Sequence, residues 1–141
     1  MRHERYERII EAWANAWNAG DVASLDQIMA PEYVRHDGGG EPVGLEVHKE
    51  RILALRNAFP DLCCVVEDIF GEENRLAIRW SSVGTHDGDY LGVAPTGRTV
   101  RVEGISLARI HARRIVEEWV TWDPRQMLFA LGVVSLHREE A

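Results

Sequence analysis

The hydrophobic spacing of this chain changes from a helical period to a strand period near Pro60. Before that residue, apolar side chains recur every three or four positions, as they do in amphipathic helices. After it, apolar and polar residues alternate in runs separated by turn-forming residues, which is typical of an antiparallel meander. Helices followed by strands indicate the α+β class, with a curved sheet that has helices on one face. The 141 residues fit a single domain, residues 1–141.

The capping and breaking residues set the expected ends of the elements. The predicted helical part is a helix at 4–19 ended by Gly20, a short helix that Asp21 caps and Pro31 ends, a loop at 33–44, and a helix at about 45–59. The predicted strands are 62–70, 75–86, 99–110 and 115–122, with a glycine- and proline-rich connection at 87–98. Asp123 and Pro124 then begin a last short helix, in which Asp123 serves as a structural N-cap.

Charge and composition exclude several classes of function. The net charge is −7 and the arginines are scattered, so no basic surface for nucleic acid is expected. No long apolar run and no signal-peptide pattern is present, which indicates a cytoplasmic protein that does not act at a membrane. The adjacent cysteines Cys63 and Cys64 would point to opposite faces of a strand, so no disulfide is expected between them. Histidines and acids lack the spacing of a metal motif, and no metal site is predicted.

Four runs of sequence carry a resemblance to a known family. They are "AWNAGDVASLDQIMAPEYVRHD", "GTHDGDYLGVAPTGRTV", "RIVEEWVTWDPRQML" and the "LG" at residues 131 and 132. In these runs the chain resembles the SnoaL-like polyketide cyclases of the NTF2-like superfamily, over nearly its whole length. The resemblance implies a cone in which a curved antiparallel sheet wraps around N-terminal helices and encloses an internal apolar pocket. It also implies a homodimer, and acid/base chemistry on small organic molecules without a metal or organic cofactor.

The strand at 115–122 holds the acids of greatest interest. Alternation places Glu118, Val120 and Trp122 on one face and Glu117 on the other. Family cyclases typically read His-Trp-Asp here, with the His and Asp in the pocket, so Glu118 takes the His position and Val120 the Asp position. Valine cannot transfer a proton, and Glu118 becomes the candidate acid/base, because partial desolvation would raise its pKa toward neutrality. The alternative is an inert Glu118 paired with an arginine.

Histidines and tryptophans supply the remaining candidates for the site. His36 matches a histidine common near the family's pocket entrance; it is either a proton shuttle that assists Glu118 or an ordinary loop histidine. His48 lies on the apolar stripe of its helix and could reach the cavity. His86 is interpreted as a turn former. The predicted substrate pocket consists of Trp13, Trp17, His48, Gly104, Ser106, Val120 and Trp122, in which the small residues would leave room for a planar apolar ligand.

These observations support two functional hypotheses. The first is a cofactor-independent acid/base enzyme that cyclises, isomerises or dehydrates a small apolar molecule, aromatic or polycyclic as the resemblance implies, with Glu118 and His36 as its catalytic residues. The second is a non-catalytic small-molecule binding or dimerisation module, whose pocket lost its acid at Val120. Under either hypothesis, the outer-face residues Ile105, Leu107 and Trp119 indicate a homodimer interface.

Overall fold

The structure, a computed structural model, describes residues 6–38 and 40–132 as three α-helices around one mixed sheet. The helices are α1 (Glu7–Ala19), α2 (Leu45–Ala58) and α3 (Pro124–Ala130), with a 3₁₀ helix at Val22–Gln27. The strands are β1 (Met29–His36), β2 (Val43–Gly44), β3 (Cys63–Glu72), β4 (Arg75–Thr85), β5 (Thr99–His111) and β6 (Arg114–Trp122). No helix among these residues is both long enough and apolar enough to span a bilayer.

The six strands form a curved, unclosed sheet in the order β2-β1-β6-β5-β4-β3. Strands β3 to β6 are the antiparallel meander that the alternating pattern predicts. The β4–β5 and β5–β6 connections differ in character: the first is the long 86–98 segment, and the second is a tight turn in which Ala112 and Arg113 both have positive φ. The α+β prediction is therefore confirmed.

Strand β1 corrects the sequence prediction. Residues 29–31 were expected to end a helix and residues 33–36 to lie in a loop, yet Met29–His36 is a strand parallel to β6. Pro31 made a strand improbable, because proline cannot donate to a ladder. The structure accommodates it through a shift of register between Met29 and Val34, so that Pro31 falls outside the regular pairing.

The turn that leads from α1 into the 3₁₀ helix is partly as predicted. Gly20 ends α1 in the left-handed conformation, with φ of 75°, which suits a residue without a Cβ. The expected side-chain cap of Asp21 is absent. Instead, the backbone carbonyl of Asp21 accepts hydrogen bonds from the amide and hydroxyl of Ser24. The start predicted for α1 at residue 4 lies outside the described residues.

The helices cover one face of the sheet and leave the other uncovered. Buried side chains of α1 and α2 share a cluster with buried side chains of β3, β4 and β5: Ala12, Ala16, Leu45, Ile52, Ile69, Leu76, Ile78 and Ala108. Along β5 burial alternates strictly, so that Gly104 and Ser106 face the helices, whereas Ile105 is 55% exposed. We call the helix-covered side the inner face and the other side the outer face.

The edge strand β3 is protected by a side chain of α1. Asn18 donates from Nδ2 to the carbonyl of Cys64 and accepts at Oδ1 from its amide, at 2.9 and 2.6 Å. The amide side chain therefore occupies the hydrogen-bonding edge as a neighbouring strand would. The two cysteines point to opposite faces as expected, Cys63 exposed and Cys64 buried, and both are free thiols.

The last helix begins at the predicted cap. The Asp123 carboxylate accepts a hydrogen bond from the amide of Arg125 at 2.9 Å, and Pro124 occupies the first helical position. We expect Asp123→Ala to lower the midpoint of thermal unfolding by roughly 2–6 °C, because an N-cap acceptor is lost. Asp123→Asn, which keeps an acceptor, should unfold close to the wild-type temperature. If both variants unfold at the same temperature, the capping assignment is wrong.

Candidate active site

Glu118 is a carboxylate buried on the inner face. Along β6 the side chains of Val116, Glu118 and Val120 are buried, whereas Trp119 between them is 38% exposed. Glu118 itself is 3% exposed. A charge taken out of water this completely requires partners, since an unpaired buried carboxylate is strongly unfavourable. The structure supplies two such partners, and both come from β1.

Tyr33 and Arg35 hold one oxygen of Glu118. Strand β1 runs beside β6 with Arg35 in register with Glu118, and alternation brings Tyr33 to the same inner face. The Tyr33 hydroxyl donates to Glu118 Oε1 at 2.5 Å, and Arg35 Nη1 donates to the same oxygen at 3.1 Å. Arg35 Nη1 also donates to the Tyr33 hydroxyl oxygen at 3.5 Å. Oε2 of Glu118 accepts no hydrogen bond from the residues that the structure describes.

The Tyr33 phenol stays protonated in this environment. Burial raises its pKa well above the ordinary value, and the negative charge of Glu118 raises it further, although the Arg35 charge opposes both effects. A phenol of this kind acts as a hydrogen-bond donor and not as a base. Tyr33 and Arg35 were missed because their segment was interpreted as a loop. The adjacent strand-forming residues Tyr33 and Val34 are the local signal that could have indicated a strand here.

His48 is the uncharged member of a buried group that also contains Tyr33, Arg35 and Glu118, which we call the inner site. Its ring lies 5.8 Å from that of Trp17 and 5.7 Å from that of Tyr33, and the residue is 2% exposed. Burial, followed by the positive charges of Arg35 and Arg51, holds the pKa of His48 well below its usual range. The imidazole is therefore uncharged at neutral pH, and it can donate or accept a hydrogen bond without adding charge to the site.

Asp37 connects the inner site to two aromatic residues, Trp122 at the end of β6 and Tyr90 in the 86–98 segment. Trp122 Nε1 donates to Asp37 Oδ1 at 3.2 Å, and Arg35 Nε lies 3.9 Å from Asp37 Oδ2. Tyr90 packs edge-on against Phe59 with ring centroids 5.7 Å apart. Burial raises the pKa of Tyr90, and the charge of Asp37 contributes to the rise. Trp122 and Tyr90 are each half-buried, so part of both rings remains open to a bound molecule.

The room expected beside Gly104 and Ser106 is occupied. The ring of Trp80 lies across Gly104 so closely that a Cβ on the glycine would collide with it. Trp80 Nε1 also donates to Ser106 Oγ at 3.3 Å. The small residues Gly104 and Ser106 on β5 thus make room for the indole ring of Trp80 on β4. They do not by themselves leave space for a ligand. Val120, in register with Ser106, is 3% exposed.

The remaining predicted pocket residues are spread along the inner face. Trp13 and Trp17 on α1 have ring centroids 6.1 Å apart. Trp13 belongs to a second buried cluster with Phe59, Val100 and Met127, whereas Trp17 touches both clusters. Two surface clefts, of ≈ 430 and ≈ 410 Å³, lie elsewhere, and none of Tyr33, Arg35, His48 and Glu118 lines them. The enclosed apolar pocket therefore stays a prediction.

His36 lies away from Glu118, on the outer face. Its Nε2 donates to Glu117 Oε2 at 2.7 Å, and its ring stacks on Trp119 at 5.3 Å. Arg109 binds the other oxygen of Glu117 at 3.1 Å. The hydrogen bond from His36 is the main cause that lowers the pKa of Glu117. The structure thus does not place the two predicted catalytic residues together, because β1 turns Arg35 inward and the next residue outward.

His86, interpreted from the sequence as a turn former, is fully buried. The amide of Thr96 donates to His86 Nδ1 at 3.2 Å, which places the ring proton on Nε2. In the described part of the chain, His86 Nε2 is the one fully buried side-chain nitrogen or oxygen without a hydrogen-bond partner. Residues 6–38 and 40–132 contain no group of three or more His, Cys, Asp or Glu arranged to hold a metal ion.

Comparisons with known proteins agree on one family. The model for SnoaL-like polyketide cyclases matches residues 7–131. AclR from Streptomyces galilaeus, a candidate hydroxylase, is 28% identical with a TM-score of 0.84, over 99% of this chain and 87% of AclR. IdmH from Streptomyces antibioticus, a candidate polyketide cyclase, is 31% identical with a TM-score of 0.79, over 93% of this chain and 100% of IdmH. TsrD from Streptomyces laurentii, 24% identical with a TM-score of 0.84, over 95% of this chain and 99% of TsrD, shows the shared fold alone. No curated protein matches the sequence.

The lowered pKa of His48 predicts a dependence of stability on pH. In the unfolded chain this histidine takes up a proton below about pH 6.5, whereas the folded protein keeps it neutral. Its contribution to the free energy of unfolding is complete above pH 6.5 and is lost as pH falls toward the folded-state pKa, by up to about 1.4 kcal/mol per pH unit.

Urea unfolding from pH 7.5 to pH 5 measures this contribution. We expect wild type to lose stability more steeply than His48→Gln, whose side chain does not titrate. His111→Gln, a change at an exposed histidine, is the matched control and should follow wild type. Equal slopes for wild type and His48→Gln would refute the assignment.

Proposed function

Because the chain belongs to the SnoaL-like polyketide cyclase family, we propose that it is a cofactor-independent enzyme that transfers a proton on a small, largely apolar molecule. The observation that carries the proposal is the inner-face carboxylate of Glu118, 3% exposed, with two donors on Oε1 and none from the described residues on Oε2. An oxygen of this kind can accept a proton from carbon and return it to another position of the substrate.

The reaction begins with removal of a proton next to a carbonyl group. Glu118 Oε2 takes the proton, and the electron pair of the C–H bond moves into an enolate. Return of the proton to a different carbon gives isomerisation. Attack of the enolate on a second carbonyl within the substrate gives ring closure, and the resulting alkoxide takes the proton back from Glu118. Expulsion of a β-hydroxyl by the enolate, with the same proton delivered to the departing oxygen, gives water and the dehydrated product. Each outcome needs one acid/base group and no electron acceptor, which one carboxyl group can provide.

The charges of the inner site favour an uncharged substrate. The positive charge of Arg35 is matched by Glu118, and His48 is held neutral by its burial. An anionic substrate would add an unmatched buried charge, which is costly in a water-poor site. The half-buried rings of Trp17, Trp80 and Trp122 provide flat apolar surface on the same side of the sheet. An aromatic or polycyclic ketone combines both properties.

The relatives support a cyclase-type reaction without fixing its details. IdmH, at 31% identity over its full length, is a candidate polyketide cyclase, whereas AclR is a candidate hydroxylase. The fold therefore carries more than one chemistry. Val120, buried at the position of the family's acid, favours a second candidate function, namely a module that binds such molecules without converting them. Turnover separates the two functions.

Exchange of carbon-bound protons tests the proposal without the natural substrate. With 2-tetralone, an enolisable bicyclic ketone, in D₂O, the wild-type protein should accelerate deuterium uptake next to the carbonyl, as followed by NMR. Glu118→Gln keeps the shape of the side chain but cannot take up the proton, so we expect the rate to fall on the order of 10²–10⁴-fold.

The matched control is Glu117→Gln, the same change one residue away on the outer face, which should exchange at the wild-type rate. If Glu118→Gln exchanges as fast as wild type, Glu118 is not the base. Binding of 2-tetralone without any exchange by wild type would support the binding module instead.

We further propose that the outer face is the contact surface of a homodimer. Leu107 and Trp119 are in register on neighbouring strands, and each is 38% exposed, beside Ile105 at 55%. The neighbouring charge of Glu117 is already matched by His36 and Arg109, so its burial in an interface would leave no carboxylate unpaired. A contiguous apolar patch with internally paired charges is typical of a surface that associates with a second copy.

Sedimentation of the wild-type protein at micromolar concentration should give the mass of a dimer. Trp119→Glu places an unpaired charge in the centre of the patch and should shift the mass to that of a monomer. Leu53→Glu is the control, because Leu53 is also apolar and 43% exposed but lies on α2, on the other side of the sheet. A monomeric wild type would contradict the proposal.

A further inference from the structure

We propose that Tyr33 and Arg35 are positioning residues, which hold Oε1 of Glu118 in place and reserve Oε2 as the oxygen that exchanges a proton with substrate. This inference rests on the proposed acid/base function and assigns a task to each atom of the site. It concerns two residues of β1 that have no counterpart among the residues expected from the family resemblance.

The parallel pairing of β1 and β6 places both donors beside the carboxylate. Arg35 is in register with Glu118, and Tyr33 precedes it by one full strand repeat, so both side chains rise from the same side of the sheet. Paired strands restrict the backbone, and the side chains are enclosed, with Tyr33 1% exposed and the Arg35 side chain 11% exposed. The two donors therefore approach Glu118 from fixed directions.

Both donors use the same oxygen. A carboxylate oxygen has two lone pairs in the plane of the group, and on Oε1 these accept from the Tyr33 hydroxyl at 2.5 Å and from Arg35 Nη1 at 3.1 Å. A proton arriving at Oε1 would have to displace one of these donors. Oε2 accepts no hydrogen bond from the described residues and is free to receive a proton.

The two donors remain in the required protonation state at any pH at which the protein works. Arg35 keeps its positive charge because a guanidinium does not lose its proton in proteins. Burial and the Glu118 charge raise the pKa of the Tyr33 phenol far above neutrality, so that the phenol donates throughout the neutral range. Oε1 thus keeps both hydrogen bonds throughout the reaction, and Oε2 is the oxygen that gains and loses the proton.

A purely structural ion pair would behave differently from a positioning pair. If Tyr33 and Arg35 only stabilised the fold, shape-conserving replacements would lower stability and leave the reaction of the remaining folded protein unchanged. If they position Glu118, the same replacements would lower kcat and leave KM nearly constant, because the substrate still binds but meets a misplaced base.

The first experiment uses 2-tetralone exchange with Tyr33→Phe, Arg35→Lys and Arg35→Met. We expect Tyr33→Phe to lower kcat roughly 10- to 100-fold, as for the loss of a hydrogen bond to a charged group, with KM changed less than threefold. Arg35→Lys keeps the charge and should retain more activity than Arg35→Met. The pH profile of Arg35→Met should differ from that of wild type, because the positive charge beside the reacting carboxylate is removed.

The matched control is Arg109→Met, which removes the equivalent partner, at 3.1 Å, from Glu117 on the outer face. It should leave kcat, KM and the pH profile as in wild type. If Glu118→Gln abolishes exchange but Tyr33→Phe and Arg35→Met keep the wild-type kcat and pH profile, the positioning role is refuted and the acid/base function stands.

The second experiment does not depend on turnover. In protein labelled with ¹³C at the glutamate carboxyl groups, the resonance of Glu118 is identified by its loss in Glu118→Gln. It should move in Tyr33→Phe and in Arg35→Lys, and it should stay in place in Arg109→Met. If the chemical shift of the Glu118 resonance is the same in Tyr33→Phe and Arg35→Lys as in wild type, the inference is overturned. This holds whether or not the wild-type protein catalyses proton exchange of 2-tetralone. Should Arg35→Met fail to fold because Glu118 is left unmatched, Tyr33→Phe and Arg35→Lys still decide the question.

Discussion

The parallel pairing of β1 with β6 is the contact on which the candidate site depends. It joins two segments 83 residues apart, measured from Arg35 to Glu118, and it is the single parallel pairing in the sheet of the described residues. Parallel strands cannot be joined by a short turn. The intervening chain provides this connection and also contributes to the site. Helix α2 brings His48 against Tyr33, and the meander supplies the aromatic side chains of Trp80 and Trp122. The site is thus a product of topology more than of any one motif.

The same pairing explains why a buried carboxylate is tolerated. Taking Glu118 and Arg35 out of water costs several kcal/mol for each ion, on the order of what their attraction returns. The pair therefore contributes little net stability, although loss of either partner alone would cost roughly 3–5 kcal/mol. A hydrophobic pair of similar volume could fill this position at less risk to the fold. A charged pair whose carboxylate oxygen Oε2 accepts no hydrogen bond from the described residues is consistent with a chemical task at Glu118.

Local patterns in the sequence predicted what local physics determines. The alternation along β5 and β6 assigned Glu118 to the inner face and Trp119 to the outer face, and the Asp123–Pro124 pair identified the start of α3. The errors arose where distant contacts decide the structure. Strand β1 was obscured by Pro31, which is tolerated because the register with β6 shifts around it. Consequently His36 was expected to assist Glu118, although it lies on the outer face, and the partners of Glu118 could not be named before the pairing was known.

The indole of Trp80 across Gly104 gives one further consequence. The backbone of the sheet sets the outline of the inner face, but a single side chain from β4 fills the volume beside Gly104 and Ser106 on β5. Because Gly104 and Ser106 contribute almost no volume of their own, a change of one codon at position 80 would alter the depth of this space without moving a strand. A smaller residue at position 80 would open this part of the inner face while Glu118 and its two donors stay as they are.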